Sequence, residues 1–170
     1  MPIDACTNTF SELAAIVLPG DMARLRAAML TPHPMADFCR AGLGVRSILL
    51  KLGRNKDFSG CYVLLEDGRP FYVGISRSVV HRLRQHGMSN THFGASLAYR
   101  MATAKTGHEM KRADAMKDSA FREAFVEART LLRGSSVSFI EIDNPLELYL
   151  FEAYCAMELQ TGEWNTFKTH

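Results

Sequence analysis

A chain of 170 residues can form one ordinary domain with a core of its own, plus an extension, but not two large domains. Its 47% apolar and 22% charged residues exclude disordered and collagen-like classes, and no uncharged apolar run approaches the roughly 18 residues of a membrane-spanning helix. Twenty basic against eighteen acidic residues leave a formal +2, which by itself argues neither for nor against a nucleic-acid partner.

From about Thr9 to Leu52, apolar and basic residues are broken at Pro19-Gly20, at Pro32 to Pro34 and at Gly42 to Gly44, which predicts two or three short helices. Cys61 to Leu65 is a short apolar run, followed by Glu66-Asp67-Gly68-Arg69 and then Pro70 to Gly74, a β-hairpin turning at Asp67-Gly68. Ser76 reads as a helix N-cap, with Val79, Val80 and Leu83 at helical spacing in a helix over about 77–86. Ala95 to Ala104 is helical, and Met110 to Leu132 is a charged amphipathic helix or pair ending at Gly134. Val137 to Ile142, β-branched and aromatic, is a strand. Asn144-Pro145 with Glu147 opens a last helix to about Leu159. The expected fold is α+β: a small three-stranded antiparallel sheet flanked by helices. A helical N-terminal extension covers 1–57, and the domain at 58–170 carries a helical insertion at about 90–134.

The N-terminus, with Asp4 and no basic start before an apolar stretch, does not read as a secretory signal, so a soluble cytoplasmic protein is expected. Cys6, Cys39, Cys61 and Cys155 form no Cys-x-x-Cys pair and read as buried small hydrophobes rather than zinc ligands or disulfides. The charge is uneven along the chain. Between Arg77 and Arg112 lie Arg77, Arg82, Arg84, Arg100, Lys105, Lys111 and Arg112, with His81, His86, His92 and His108, against the single acid Glu109. Arg40 to Lys56 holds no acid, while from Glu141 onward six acids face only Lys168. Clustered positive charge attracts a polyphosphate backbone, though a solvated helix face explains it equally well.

Certain side chains could act together. Arg82 and His86, four apart, project from one strip of their helix. Tyr62 and Tyr72 sit in the two hairpin strands. Glu152 shares its helical strip with Leu148, Cys155 and Ala156, unlike the solvated Glu147 and Glu158, and a carboxylate so placed needs a cation or an arginine. Each also has a plainer reading: sheet core for the tyrosines, a solvated face for Arg82 and His86, a salt bridge between Glu152 and Arg82.

Their joint order and spacing resemble the GIY-YIG nuclease domain. The two motifs are Gly60-Cys61-Tyr62-Val63 and Tyr72-Val73-Gly74, ten residues apart from tyrosine to tyrosine. Arg82 follows Gly74 by eight residues, His86 comes four later, and Asn165 lies thirteen beyond Glu152. The resemblance covers about Phe58 to Phe167. It implies a divalent-metal-dependent endonuclease hydrolysing phosphodiester bonds, usually in DNA, with one Mg²⁺ or Mn²⁺ ion per site. Glu152 is then the metal ligand, since a hard cation wants oxygen donors. Arg82 holds a non-bridging phosphate oxygen. Tyr62 is the candidate general base, with His86 as relay or as the base itself. Tyr72 positions water or phosphate, Gly74 permits close backbone approach, and Asn165 braces the site. Gly74, Arg77, Arg84, Arg100, Lys105, Lys111 and Arg112 are the expected nucleic-acid contacts.

The chain departs from the family pattern at Cys61, where an aliphatic residue is usual, and at Ile75, where many members carry a lysine. Its basic insertion from His92 to Arg112 either shapes a nucleic-acid groove or is a solvated excursion. The alternative to a nuclease is a non-catalytic nucleic-acid-binding module on the same fold. One catalytic centre cuts one strand, so a double-strand break would need a homodimer or two successive events.

Overall fold

Residues 2–107 and 111–167 are described in the structure, a computed structural model. His108, Glu109 and Lys168, counted above among the charges, lie outside them. The chain divides into two compact units: Met1–His33, Lys56–Val79 and Ser136–His170 form the first, Pro34–Asn55 and Val80–Ser135 the second. The first 57 residues are therefore shared between the units.

In the first unit, α1 (Phe10–Glu12) runs through a wider π-type turn at Leu13–Val17 into α2 (Leu18–Met29). Thr9 and Glu12 form a reciprocal capping box at its start. The predicted break at Pro19-Gly20 does not occur. The extra residue in the π turn takes the i−4 carbonyl away from the proline ring, and Pro19 falls in the first turn of α2, where its missing N–H costs nothing. After β1 (His33–Pro34) the second unit opens with α3 (Met35–Phe38) and α4 (Val45–Lys51).

The chain then returns to the first unit for β2 (Gly60–Glu66) and β3 (Arg69–Ser76). Asp67 and Gly68, at φ 49° and 77°, make the two-residue turn between them, whose twist matches that of the strands. β3 runs on to Ser76, paired with Gly60, so Ser76 ends a strand rather than capping a helix. Its Oγ accepts from the Ser78 N–H, and α5 (Val79–Met88) begins three residues after it.

The second unit continues with α6 (Ser96–Thr106), α7 (Arg112–Ala115) and α8 (Ser119–Gly134). α8 buries Phe121, Phe125 and Leu132 at helical spacing and packs against α6. β4 (Ser136–Glu141) and α9 (Pro145–Glu158) complete the first unit. Asn144 caps α9, its side-chain oxygen accepting from the Leu146 and Glu147 N–H groups.

The protein is thus α+β. Its sheet has four strands in the order β1-β4-β2-β3, rather than three, because the two-residue β1 joins the edge beyond β4. The long pairings are antiparallel. One face of the sheet presents Cys61, Val63, Leu65, Val73 and Ile140, packed against Leu18, Met22 and Leu25 of α2 and Leu148, Phe151 and Cys155 of α9. Among the described residues no helix is long and apolar enough to cross a membrane.

Candidate active site

Tyr62 is paired with Gly74 and Leu64 with Tyr72, so both tyrosines and Gly74 share the sheet face opposite α2 and α9. The two phenol rings lie 6.2 Å apart in a tilted arrangement, both buried. The motif glycines stand where no side chain fits. A Cβ on Gly74 would come within 2.4 Å of Tyr62 Cζ and Oη, and one on Gly60 within 2.1 Å of the Ile140 carbonyl oxygen across the β2–β4 ladder. The close approach expected at Gly74 is therefore made by the Tyr62 ring. Gly60 has the same kind of role between backbones, one that its place in the motif did not reveal.

β3 is an edge strand, and Asn165 closes part of that edge. Its Oδ1 accepts from the Val73 N–H at 2.9 Å and its Nδ2 donates to the Val73 carbonyl at 2.7 Å. The side-chain amide thus stands in for a neighbouring strand at the middle residue of the second motif. Glu152, half-buried, lies on α9, which packs mainly across β3 on the face away from the tyrosines. Burial pushes the Cys61 thiol well above its ordinary pKa, aided by the Cys155 thiol and then by the Glu152 and Asp21 carboxylates. The structure therefore does not bring Glu152 onto the tyrosine face. The free edge of β3, where Asn165 sits, is the boundary between the two faces.

Among the described residues no three His, Cys, Asp or Glu side chains are grouped as a metal-binding cage. The donor chemistry of Glu152 fits Mg²⁺ or Mn²⁺ in the mode that takes one carboxylate and leaves the other positions to water and phosphate oxygens.

In the second unit Arg82 is held by its own neighbours. Its guanidinium donates to the Gly94 carbonyl at 2.9 Å, to Ser96 Oγ at 2.8 Å and to Gln85 Oε1 at 3.3 Å, tying the loop before α6 to α5. His86 is fully buried, and burial, then the Arg82 and Arg100 charges, holds its pKa well below the ordinary imidazole value. It is a neutral internal group closed to direct contact with solvent. Arg84 donates to the Phe38 carbonyl at 3.5 Å, Lys105 is paired with Glu127, and Arg112 lies over the Tyr99 ring at 5.4 Å. Lys111 is exposed at the start of α7. The basic run is thus partly neutralised, because α6 packs on α8 and brings it an acid from 22 residues downstream.

Two arginines that had no place in the sequence analysis, Arg129 and Arg133 of α8, cap the end of α5. Arg133 Nε donates to the Gly87 carbonyl at 2.8 Å, and Arg129 donates to the Gly87 and Met88 carbonyls at 3.2 Å and to Asn90 Oδ1 at 2.7 Å. The first unit also holds a cavity of about 370 Å³ lined by Ile75, Ser76, Arg77, Asp143, Leu148 and Tyr149, among others. Of these only Arg77 had been expected to contact a ligand, since the walls come from separated stretches of sequence.

Compared with protein-family models, with curated proteins and with solved structures, the chain matches none.

Proposed function

We propose that this protein is a divalent-metal-dependent endonuclease of the GIY-YIG type, hydrolysing phosphodiester bonds in DNA. The observation that carries the reading is the mutual fit of the two motifs. They pair as neighbouring antiparallel strands with Tyr62 opposite Gly74 and with both motif glycines at sites of close approach. Asn165, the last residue of the pattern, is clamped to the middle of the second motif. The order of the three long strands, with α5 after the hairpin and α9 after β4, supports the finer assignment of the fold.

Glu152 would hold one Mg²⁺ or Mn²⁺, which when bound polarises a phosphate oxygen and stabilises the departing 3′ oxygen. Tyr62 takes the proton of the attacking water. With an ordinary pKa of about 10 a phenol is a weak base at neutral pH, so as Tyr62 takes this proton its own phenolic proton must pass to a second base, the relay role that the resemblance leaves to His86. Gly74 leaves the space that the Tyr62 hydroxyl occupies. Tyr72 orients water or phosphate, and Asn165 holds the Val73 segment of β3 in place. For Arg82 the expected task is to hold a phosphate oxygen, and its bonds to Gly94 and Ser96 fix the guanidinium in advance. One centre cuts one strand, so a double-strand break takes a homodimer or two successive cuts.

The alternative, a binding module without chemistry, is favoured by three observations: Glu152 lies on the sheet face away from the tyrosines, Arg82 is engaged by protein acceptors, and His86 is shut away from solvent. Incubation of the protein with supercoiled plasmid and single-stranded circular DNA, with Mg²⁺, Mn²⁺ or EDTA, separates the two. Nicking should require the metal and disappear in Glu152→Ala, with DNA binding retained. Arg82→Ala should slow cleavage by a factor on the order of a hundred. Salt-dependent binding without cleavage of either DNA would establish the binding module instead.

A further inference from the structure

The cavity at the end of the hairpin has a polarity that a phosphate groove alone does not explain. Arg77, exposed beyond the end of β3, and Asp143, exposed before α9, line the same space of about 370 Å³, and no ion pair is recorded between them among the described residues. A carboxylate repels a phosphate backbone, so at the wall of a groove that only tracks phosphates it would weaken binding. Ile75 and Leu148 give the cavity an apolar lining. Tyr149 adds an aromatic side chain that is 66% exposed, a wall rather than a core residue. The volume lies in the range of about 300–1,000 Å³ typical of small-ligand sites.

The geometry points to a nucleotide pocket that takes an unstacked guanine. The phosphate lies toward Arg77, the base lies against Tyr149 over the apolar lining, and its Watson–Crick edge meets Asp143. The choice among bases follows from their edges. Guanine alone offers two adjacent donors, N1–H and the 2-amino group, to a single carboxylate. Adenine and cytosine place a ring-nitrogen acceptor beside their amine, and thymine flanks its one N–H with two carbonyls. In each of those three an acceptor is forced against Asp143. Stacking on Tyr149 serves every base and adds affinity without selectivity. For a polymer substrate this inference rests on the nuclease reading, and it places a guanine beside the cleaved bond, since Tyr149 and Glu152 lie one helical turn apart on α9.

Titration calorimetry of the full-length protein with GMP, IMP, AMP, CMP and TMP, without metal, tests the pocket apart from catalysis. GMP should bind most tightly, and IMP, which lacks only the 2-amino group, about tenfold or more weaker, the effect of one lost charge-assisted hydrogen bond. Asp143→Asn should abolish the preference for GMP, and Tyr149→Ala should weaken all five ligands together. Equal affinities, no saturable GMP binding, or an unchanged preference in Asp143→Asn would overturn the assignment. Guanine-selective binding by a protein that cuts no DNA would keep the pocket and overturn the nuclease, whereas metal-dependent cleavage by a protein with no saturable GMP binding would do the reverse.

Discussion

Gly60 and Gly74 show how two residues without side chains set the geometry of a site. At Gly74 the obstacle to a Cβ is the Tyr62 ring, which can shift only by disturbing its own buried packing. Gly74→Ala should therefore destabilise the fold by about 1–3 kcal/mol, as overpacking does, and Tyr62→Leu in the same chain should relieve most of that loss. At Gly60 the obstacle is a carbonyl in the sheet ladder, with no torsion of its own to turn it aside. Gly60→Ala should cost more, and no side-chain substitution should rescue it. Urea denaturation of the three variants checks the order. A Gly60→Ala as mild as Gly74→Ala would mean that β2 and β4 move apart at little cost.

Among the elements, α5 has a buried imidazole one turn after Arg82, its last carbonyls taken up by Arg129 and Arg133. An unfolded histidine takes up a proton near pH 6.5, while the folded His86 resists doing so until a lower pH. The unfolded chain thus binds more protons between those two values. The stability that His86 contributes is complete above about pH 6.5 and is lost as the pH falls below it. Thermal melts from pH 7.5 to 5 should show the midpoint falling with acid, and falling less in His86→Gln. An equal slope in both would place the acid sensitivity elsewhere.

The elements were legible in the sequence where the code is local. Asp67-Gly68 demands a two-residue turn, and Asn144-Pro145 supplies a cap and a first helical residue, and both hold. Local signals failed where a neighbour decided the outcome. Pro19 broke nothing because the preceding turn widened, and Ser76 was drawn into the ladder by Gly60. At the candidate site the shared facing of Tyr62, Tyr72 and Gly74 was readable because a hairpin converts spacing directly into register. The facing of Glu152 was not readable, since a helical strip does not say against which side of a sheet it packs. Asp143 and Tyr149 gave no signal, because their cavity exists only once β3 and α9 have come together.

For the molecule as a whole, charge counted along the sequence overstates charge available in space. Lys105 is already balanced by Glu127, whereas Arg77 is exposed and lines a cavity. If DNA is bound, removing Arg77 should lower the slope of log affinity against log salt by about one, as expected for a lost phosphate contact. Removing Lys105 should change it much less. Fluorescence anisotropy across a salt series measures both, and equal losses would show that Lys105 leaves Glu127 to meet the phosphate.

Asn165 carries a consequence for assembly. An exposed edge strand invites a strand from another chain to extend the sheet, but at Val73 both the donor and the acceptor of the outer edge are already occupied by one side-chain amide. Sheet-to-sheet annealing along β3 is blocked at its midpoint. Two copies that associated by extending the sheet at β3 would first have to displace the Asn165 amide from Val73.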